Sequence, residues 1–80
     1  MFYVYALKSL RRNYTYIGMT ADVQRRLKDH DAGYNKTTKP YKPFSTLLLE
    51  EYPTRDLARR REKYLKSGVG RAYLKSLIII

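Results

Sequence analysis

The pattern of apolar positions along the chain predicts three β-strands. Residues 2–8 are apolar and aromatic with no helix breaker, residues 14–19 are similar, and five polar residues connect them. Two short strands this close in sequence favour an antiparallel hairpin. Residues 46–52 predict a third strand, and the continuous apolar run at residues 47–49 predicts that both faces of this strand are buried.

Helix start and stop signals lie between the second and third strands. Thr20 predicts an N-cap for a helix over residues 21–32, and Asp22 places a negative charge in its first turn, where it suits the helix dipole. Gly33 predicts the end of this helix. A connection rich in Lys, Thr, Tyr and Pro follows over residues 34–45.

The last third of the chain predicts two further helices. Thr54 is the expected N-cap of a helix over residues 55–67 that Gly68 ends, and a short helix can begin at Gly70. The element order β-β-α-β-α-α predicts an α+β architecture, with helices flanking a small three-stranded antiparallel sheet. Because the chain shows no linker or repeat, we expect residues 1–80 to form a single small domain.

The charge balance favours a polyanionic partner. Seventeen Lys and Arg residues against seven Asp and Glu residues give a formal net charge of +10. A positive field on so small a domain makes nucleic acid the first candidate partner, ahead of an anionic membrane surface. Nine tyrosines add to this interpretation, since phenol rings stack on bases and donate to phosphates. Tyrosine is also a good core and strand residue, and a merely basic soluble protein is the alternative.

Composition excludes several classes of site. Without cysteine the chain has no thiolate zinc site, no thiol catalysis and no disulfide, and one histidine excludes a multi-histidine metal site within the chain. The longest apolar run, residues 77–80, is far shorter than the roughly 20 residues that cross a bilayer. Residues 1–5 lack the basic start of a signal peptide, so we expect a cytoplasmic protein.

Two polar residues sit beside the apolar stripe of the first predicted helix. Val23 and Leu27 mark that stripe by their i, i+4 spacing, and Arg26 and His30 border it. A charged side chain on an inward face is costly unless something anionic pairs with it. Alternatively, Arg26 extends to solvent and His30 caps the end of the helix.

The second long helix carries a similar exception. Its inward side is predicted to comprise Leu57, Ala58, Arg61, Tyr64 and Leu65. Glu62 lies at the edge of this side and is the only acid between residues 59 and 66. It is either an ion-pair partner of the neighbouring arginines or a hard oxygen ligand for one Mg²⁺, a metal that needs few protein groups.

Tyrosines recur on alternate positions of the predicted hairpin. Tyr3 and Tyr5 project to one face of the first strand, and Tyr14 and Tyr16 share a face of the second. Depending on the register, pairing brings Tyr5 and Tyr16 onto a common face. The alternative is a tyrosine-rich surface covered by helices.

These residues form an ordered series: Tyr3-Val4-Tyr5, Tyr16-Ile17-Gly18, Thr20, Asp22, Arg25-Arg26-Leu27 and His30. The series resembles the signature of the GIY-YIG nuclease superfamily, and residues 58–68 look like the helix that bears that family's metal-binding glutamate. The likeness is closest to the small stand-alone bacterial members, which are similar to the N-terminal nuclease module of the excinuclease C subunit. Tyr3 replaces the glycine of the first triplet, and the late asparagine of some members has no counterpart after Asn35.

The resemblance implies a role for each candidate residue. Tyr5 would be the base for the attacking water, Tyr16 would orient the water or phosphate, and Arg26 would hold the scissile phosphate. His30 would accept or relay a tyrosine proton, and Glu62 would bind one Mg²⁺ or Mn²⁺ ion. We expect all five around one shallow surface cleft.

The resulting hypothesis is a metal-dependent endonuclease that cuts DNA with low sequence specificity, in DNA repair or processing. The side chains expected to hold the nucleic acid are Lys36, Lys39, Tyr41, Lys42, Arg55, Arg59 and Arg60. One alternative is a non-catalytic nucleic-acid-binding module of the same fold. Another is an assembly protein that docks, or weakly self-associates, through its apolar residues 77–80.

Overall fold

A computed structural model describes residues 1–78. Its elements are β1 (Phe2–Ser9), β2 (Thr15–Thr20), α1 (Val23–Ala32), a 3₁₀ turn (Lys39–Tyr41), β3 (Phe44–Tyr52), α2 (Arg55–Lys66) and α3 (Gly68–Ser76). The three strands form one antiparallel sheet in the order β2-β1-β3. The predicted α+β architecture and its element order are therefore confirmed.

The two faces of the sheet have different neighbours. The first, which we call the core face, packs Val4, Ala6, Ile17 and Leu48 against apolar side chains of the last two helices, namely Ala58, Leu65 and Leu74. On the opposite face, the tyrosine face, Tyr5 pairs with Gly18 in the β1–β2 ladder. Because side chains two residues apart share a face, Tyr16 lies on the same side as Tyr5.

The apolar run in β3 is buried on one face only. Ala6 pairs with Leu48 and Leu7 pairs with Thr46, so Leu47 is the extra residue of a bulge. Leu48 is buried, but Leu49 pairs with Tyr5 and is half-exposed. The prediction of burial on both faces is therefore wrong, because Leu49 lies on the tyrosine face of an edge strand.

The first helix begins later than predicted. Thr20 still belongs to β2, where it pairs with Tyr3, so it is not the N-cap. Its hydroxyl accepts the backbone N–H of Asp22 at 3.0 Å, and the Asp22 carboxylate caps the helix by accepting the N–H of Arg25 at 3.2 Å. The predicted helix end is confirmed, since Gly33 is left-handed with φ of 79°.

A serine, rather than a glycine, separates the last two helices. Thr54 caps α2 as predicted, by accepting the N–H of Leu57. Ser67 then breaks the helix with an extended backbone and caps α3 by accepting the N–H of Gly70 at 3.3 Å. A Cβ at Gly70 would collide with the backbone of Tyr64 and Leu65. This close approach lets α3 pack directly on the end of α2.

Two residues assigned to the inward side of α2 are exposed. Ala58 and Leu65 are fully buried, but Leu57 and Tyr64 are not. The Tyr64 ring instead lies 5.2 Å from the Arg61 guanidinium. Arg61 forms two hydrogen bonds with the Glu50 carboxylate, at 2.8 and 3.1 Å. This ion pair ties α2 to β3.

The apolar run at residues 77–80 contacts the core through Leu77, its first residue. Leu77 packs against the core cluster, whereas Ile79 and Ile80 lie outside the described residues. The predicted docking or self-association through residues 77–80 therefore stays a prediction. Within residues 1–78, no helix is long and apolar enough to span a membrane.

Candidate functional site

The centre of the tyrosine face is a pair of rings packed over a glycine. Tyr5 lies on the middle strand and is fully buried. A Cβ at Gly18 would stand 2.7 Å from the Tyr5 hydroxyl and 3.0 Å from Cε2 of Tyr16. The two ring centroids are 6.1 Å apart. Glycine at this position is therefore what allows both tyrosines to lie across β2.

His30 completes this cluster from α1. It is the only fully buried residue of that helix, and its Nε2 lies 3.0 Å from the Tyr5 hydroxyl. Its Nδ1 lies 2.8 Å from Oγ1 of Thr38, a fully buried residue in the loop after α1. Both ring nitrogens thus have partners in the interior. The alternative in which the His30 side chain caps the helix end is wrong.

Burial favours the uncharged forms of Tyr5 and His30. Burial, with the nearby Tyr16, raises the pKa of Tyr5 to about 12, although the Arg26 guanidinium opposes the shift. Burial also lowers the pKa of His30, and the positive charge of Arg26 acts in the same direction. At neutral pH the Tyr5 hydroxyl keeps its proton and the His30 imidazole is neutral. His30 can therefore accept a proton.

Arg26 connects the tyrosine cluster to an open groove. Its guanidinium lies close enough to Tyr5 that their polar contact raises the pKa of Arg26. The groove has a volume of about 530 Å³ and is lined by Phe2, Met19, Thr20, Ala21, Arg26, Arg55, Arg59 and Glu62. Of the five expected cleft residues, Arg26 and Glu62 line this groove, whereas Tyr5 and His30 are buried.

Glu62 is largely shielded and only loosely paired. Its side chain is 12% exposed, and its carboxylate lies 3.7 Å from Nε of Arg59 and 3.4 Å from Nζ of Lys66. Both partner side chains are about half exposed, so these long ion pairs are weak. Among residues 1–78, no three His, Cys, Asp or Glu residues cluster as metal ligands. The one carboxylate of Glu62 could hold a single hard cation, since Mg²⁺ needs few protein ligands and keeps several waters.

The remaining predicted binding residues fall into two places. Arg55 and Arg59 line the groove with Arg26, and Arg60 is exposed on the same helix. The loop residues Lys36 and Lys39 are exposed, and Lys42 is partly buried. Tyr41, in that loop, stacks on Tyr14 with ring centroids 3.8 Å apart and planes within 10°. One face of the Tyr41 ring is therefore already occupied.

A second groove, lined in part by Tyr16, contains two basic side chains that no sequence motif marks. It has a volume of about 330 Å³, and Lys66 and Arg71 line it together with Tyr14 and Tyr16. Arg71 donates from Nε to the carbonyl oxygen of Lys66 at 3.2 Å. Two basic side chains therefore share a groove with Tyr16. Charge alone gave no way to select these two from seventeen basic residues.

Comparison with known proteins identifies the family of the chain. The family model for the GIY-YIG catalytic domain matches residues 1–74. The chain belongs to the GIY-YIG family. This family consists generally of nucleases that use divalent metal ions and act on nucleic acid.

The GIY-YIG chain resembles small proteins that consist of this domain. It is 40% identical over 60 residues to a UPF0213 protein of Streptococcus sanguinis, an alignment that covers 74% of this chain and 69% of the relative. The solution NMR structure of a UPF0213 protein from Bacillus halodurans is 34% identical, with a TM-score of 0.58. That alignment covers 96% of this chain and 85% of the other. The predicted relationship to the small stand-alone GIY-YIG proteins is confirmed.

Proposed function

We propose that this GIY-YIG protein is a metal-dependent endonuclease that hydrolyses phosphodiester bonds of DNA with low sequence specificity. The observation that carries the proposal is the contact between the Tyr5 hydroxyl and a neutral His30, beside a groove that holds Arg26 and Glu62. A proton acceptor and a phosphate-binding cation thus lie next to each other. These are two requirements of phosphodiester hydrolysis.

The proton of the attacking water would leave through Tyr5. Because the pKa of Tyr5 is raised to about 12, a phenolate is disfavoured, and Tyr5 acts instead as a relay. As the water oxygen bonds to phosphorus, its proton passes to Tyr5 Oη while the proton of Tyr5 passes to Nε2 of His30. The bond from phosphorus to the leaving sugar oxygen breaks, and that oxygen takes a proton from solvent.

Access to Tyr5 would depend on Arg26. Tyr5 is fully buried in the free protein, and the Arg26 guanidinium lies beside its hydroxyl. When Arg26 turns to a phosphate in the groove, its movement opens the hydroxyl to water. Arg26 then stabilises the charge that develops on the phosphoryl oxygens, and Tyr16 orients the water.

Glu62 would hold the single Mg²⁺ or Mn²⁺ ion at the wall of the groove. When bound, the ion neutralises charge on the phosphoryl oxygens. The carboxylate contributes a hard oxygen, and its two existing ion pairs are long enough to be exchanged. A single carboxylate suits one ion and does not supply the acids of a two-metal site.

The groove arginines Arg55 and Arg59 would hold the DNA backbone nearest the site. The other side chains that we propose for this surface are Lys36, Lys39, Tyr41, Lys42 and Arg60. Phosphate contacts fix the position of DNA but carry no sequence information. Low sequence specificity follows, and it suits an enzyme of DNA repair or processing.

Plasmid nicking by matched glutamate variants tests the proposal. Glu62→Gln keeps the side-chain size but removes the charge that a hard cation needs, so nicking in Mg²⁺ or Mn²⁺ should fall by a large factor while folding and DNA binding persist. Glu51→Gln makes the same charge change at an exposed position of β3 and should nick normally. EDTA should abolish the activity of the wild type. Equal nicking by Glu62→Gln and Glu51→Gln would place the metal elsewhere.

Neighbouring arginines supply a second matched pair. Arg26→Ala should lose phosphate stabilisation of about 3 kcal/mol, or on the order of 10² in rate. Arg25→Ala removes the same charge from an exposed position and controls for general electrostatics. A wild type that binds DNA but never nicks it with any divalent ion would favour the non-catalytic module instead.

A further inference from the structure

The buried polar chain on the tyrosine face does not end at His30. Thr38 is fully buried, and its Oγ1 lies 2.8 Å from Nδ1 of His30. The same hydroxyl donates to the carbonyl oxygen of Asn35 at 3.4 Å. A line of polar contacts therefore runs from Tyr5 through His30 and Thr38 to a backbone carbonyl.

The carbonyl at the end of these contacts indicates which atoms donate and which accept along the chain of hydrogen bonds. A carbonyl oxygen only accepts hydrogen bonds, and a threonine hydroxyl has one proton to give. If Thr38 gives that proton to Asn35, its oxygen must accept from the Nδ1–H of His30. Nε2 of the neutral ring then has no proton and accepts the Tyr5 hydroxyl at 3.0 Å.

The loop holds Thr38 firmly in this position. The carbonyl of Asn35 also accepts the backbone N–H of Thr38 at 3.2 Å and of Lys39 at 2.9 Å. The Asn35 side chain accepts the N–H of Thr37 at 2.9 Å. Further along, the Ser9 hydroxyl of β1 donates to the carbonyl of Tyr41 at 2.6 Å. The turn around Asn35 and its anchor on β1 fix where the Thr38 hydroxyl lies.

We propose that Thr38 is a positioning residue that holds His30 in the tautomer protonated at Nδ1, so that Nε2 is free to take the proton of Tyr5. The importance of this tautomer for cleavage rests on the proposed nuclease function. The assignment of the tautomer itself rests on the hydrogen-bond geometry and does not depend on that function. In the opposite tautomer, His30 would donate to Tyr5 and could not receive its proton.

Nitrogen-15 NMR of the full chain measures the tautomer directly, because His30 is the only histidine. In the wild type at neutral pH we expect Nδ1 to be protonated and Nε2 to be unprotonated. Thr38→Val preserves shape but removes the acceptor, so the population should move toward the Nε2–H form. Thr38→Ser should restore the wild-type spectrum. Thr37→Val, at the exposed neighbouring threonine, should leave it unchanged.

A wild-type spectrum with Nε2 protonated overturns the proposal, even if Thr38→Val fails to fold. An unchanged tautomer in folded Thr38→Val overturns it too. In the nicking assay, Thr38→Val should lower kcat on the order of 10²-fold with little change in KM, and Thr38→Ser should recover most of it. If the wild type does not nick DNA, the nuclease proposal fails while the spectrum still decides the role of Thr38.

Discussion

Replacing Gly18 with alanine tests whether the two tyrosines depend on the missing side chain. Within residues 1–78, only Gly33 among the glycines has a positive φ, so the backbone at Gly18 accepts an L-residue without strain. The added methyl group instead meets the Tyr5 hydroxyl at 2.7 Å, its Cζ at 2.8 Å and Cε2 of Tyr16 at 3.0 Å. The effect of Gly18→Ala therefore comes from side-chain packing.

The size of the effect follows from these distances. Carbon atoms in contact are about 3.5–4.0 Å apart, so with Cζ at 2.8 Å the Tyr5 ring must move by about 1 Å. Overpacking of this kind costs about 1–3 kcal/mol of stability. A displacement of about 1 Å at a catalytic group can lower the rate by about 10²-fold. Because Tyr5 contacts His30, the shift should also lengthen the 3.0 Å hydrogen bond between them.

Urea denaturation, plasmid nicking and the His30 nitrogen-15 signals together measure these effects. Gly68→Ala is the matched control, because a Cβ at Gly68 meets nothing within 4 Å. This position is in the first turn of α3, where alanine should be neutral or slightly stabilising. Gly18→Ala with wild-type stability, nicking and His30 signals would refute the packing of Tyr5 over β2.

Three further predictions concern stability and binding. Gly70→Ala should lower the free energy of unfolding by about 3 kcal/mol, measured by urea denaturation, because the methyl group collides with the backbone at the end of α2. Acidification from about pH 7.5 to about pH 5.5 should also destabilise the protein: the folded pKa of His30 lies below its ordinary value of 6.5, so the unfolded chain binds the proton first. In His30→Gln, the free energy of unfolding should depend less on pH over this range. An equal slope in the variant and the wild type would contradict the role of His30. DNA affinity should fall with salt at a log-log slope of about −0.9 per duplex phosphate contacted, and a flat response would argue against a nucleic-acid partner.

Strands and helix ends that rest on local signals could be predicted from the sequence. Gly33 and Thr54 end and begin helices as expected, because capping depends on one residue and its immediate neighbours. The prediction that Thr20 is an N-cap was wrong for a related reason. Its side chain can cap a helix, but pairing with Tyr3 keeps it in the sheet. Tertiary contacts decided between two local structures that Thr20 could adopt.

The residues of the candidate site that belong to the family motif could be predicted from the sequence. The residue that the loop conformation brings into the site could not. Helical spacing put Arg26 and His30 beside the apolar stripe of α1, and both lie next to Tyr5. Thr38 gave no such signal, since it is one of two adjacent threonines in a basic loop. Its neighbour Thr37 is exposed, while Thr38 is fully buried. The turn around Asn35 places Thr38 in the interior and leaves Thr37 at the surface.

The division between a neutral interior and a charged groove follows from the cost of burying charge in a small core. A buried polar group must be hydrogen-bonded, and an unpaired buried ion costs far more. Within residues 1–78, every buried side-chain nitrogen and oxygen has a hydrogen-bond partner, including those of His30 and Thr38. The interior thus contains neutral, hydrogen-bonded groups, while the charged side chains of Arg26 and Glu62 line the groove, where solvent can compensate their charge. If Tyr5 had to be ionised before substrate bound, the fold would have to stabilise a buried phenolate. Among the described residues, only Arg26 acts to lower the pKa of Tyr5. In the proposed mechanism, a relay from Tyr5 to His30 would need no buried charge until the water attacks a phosphate held in the groove.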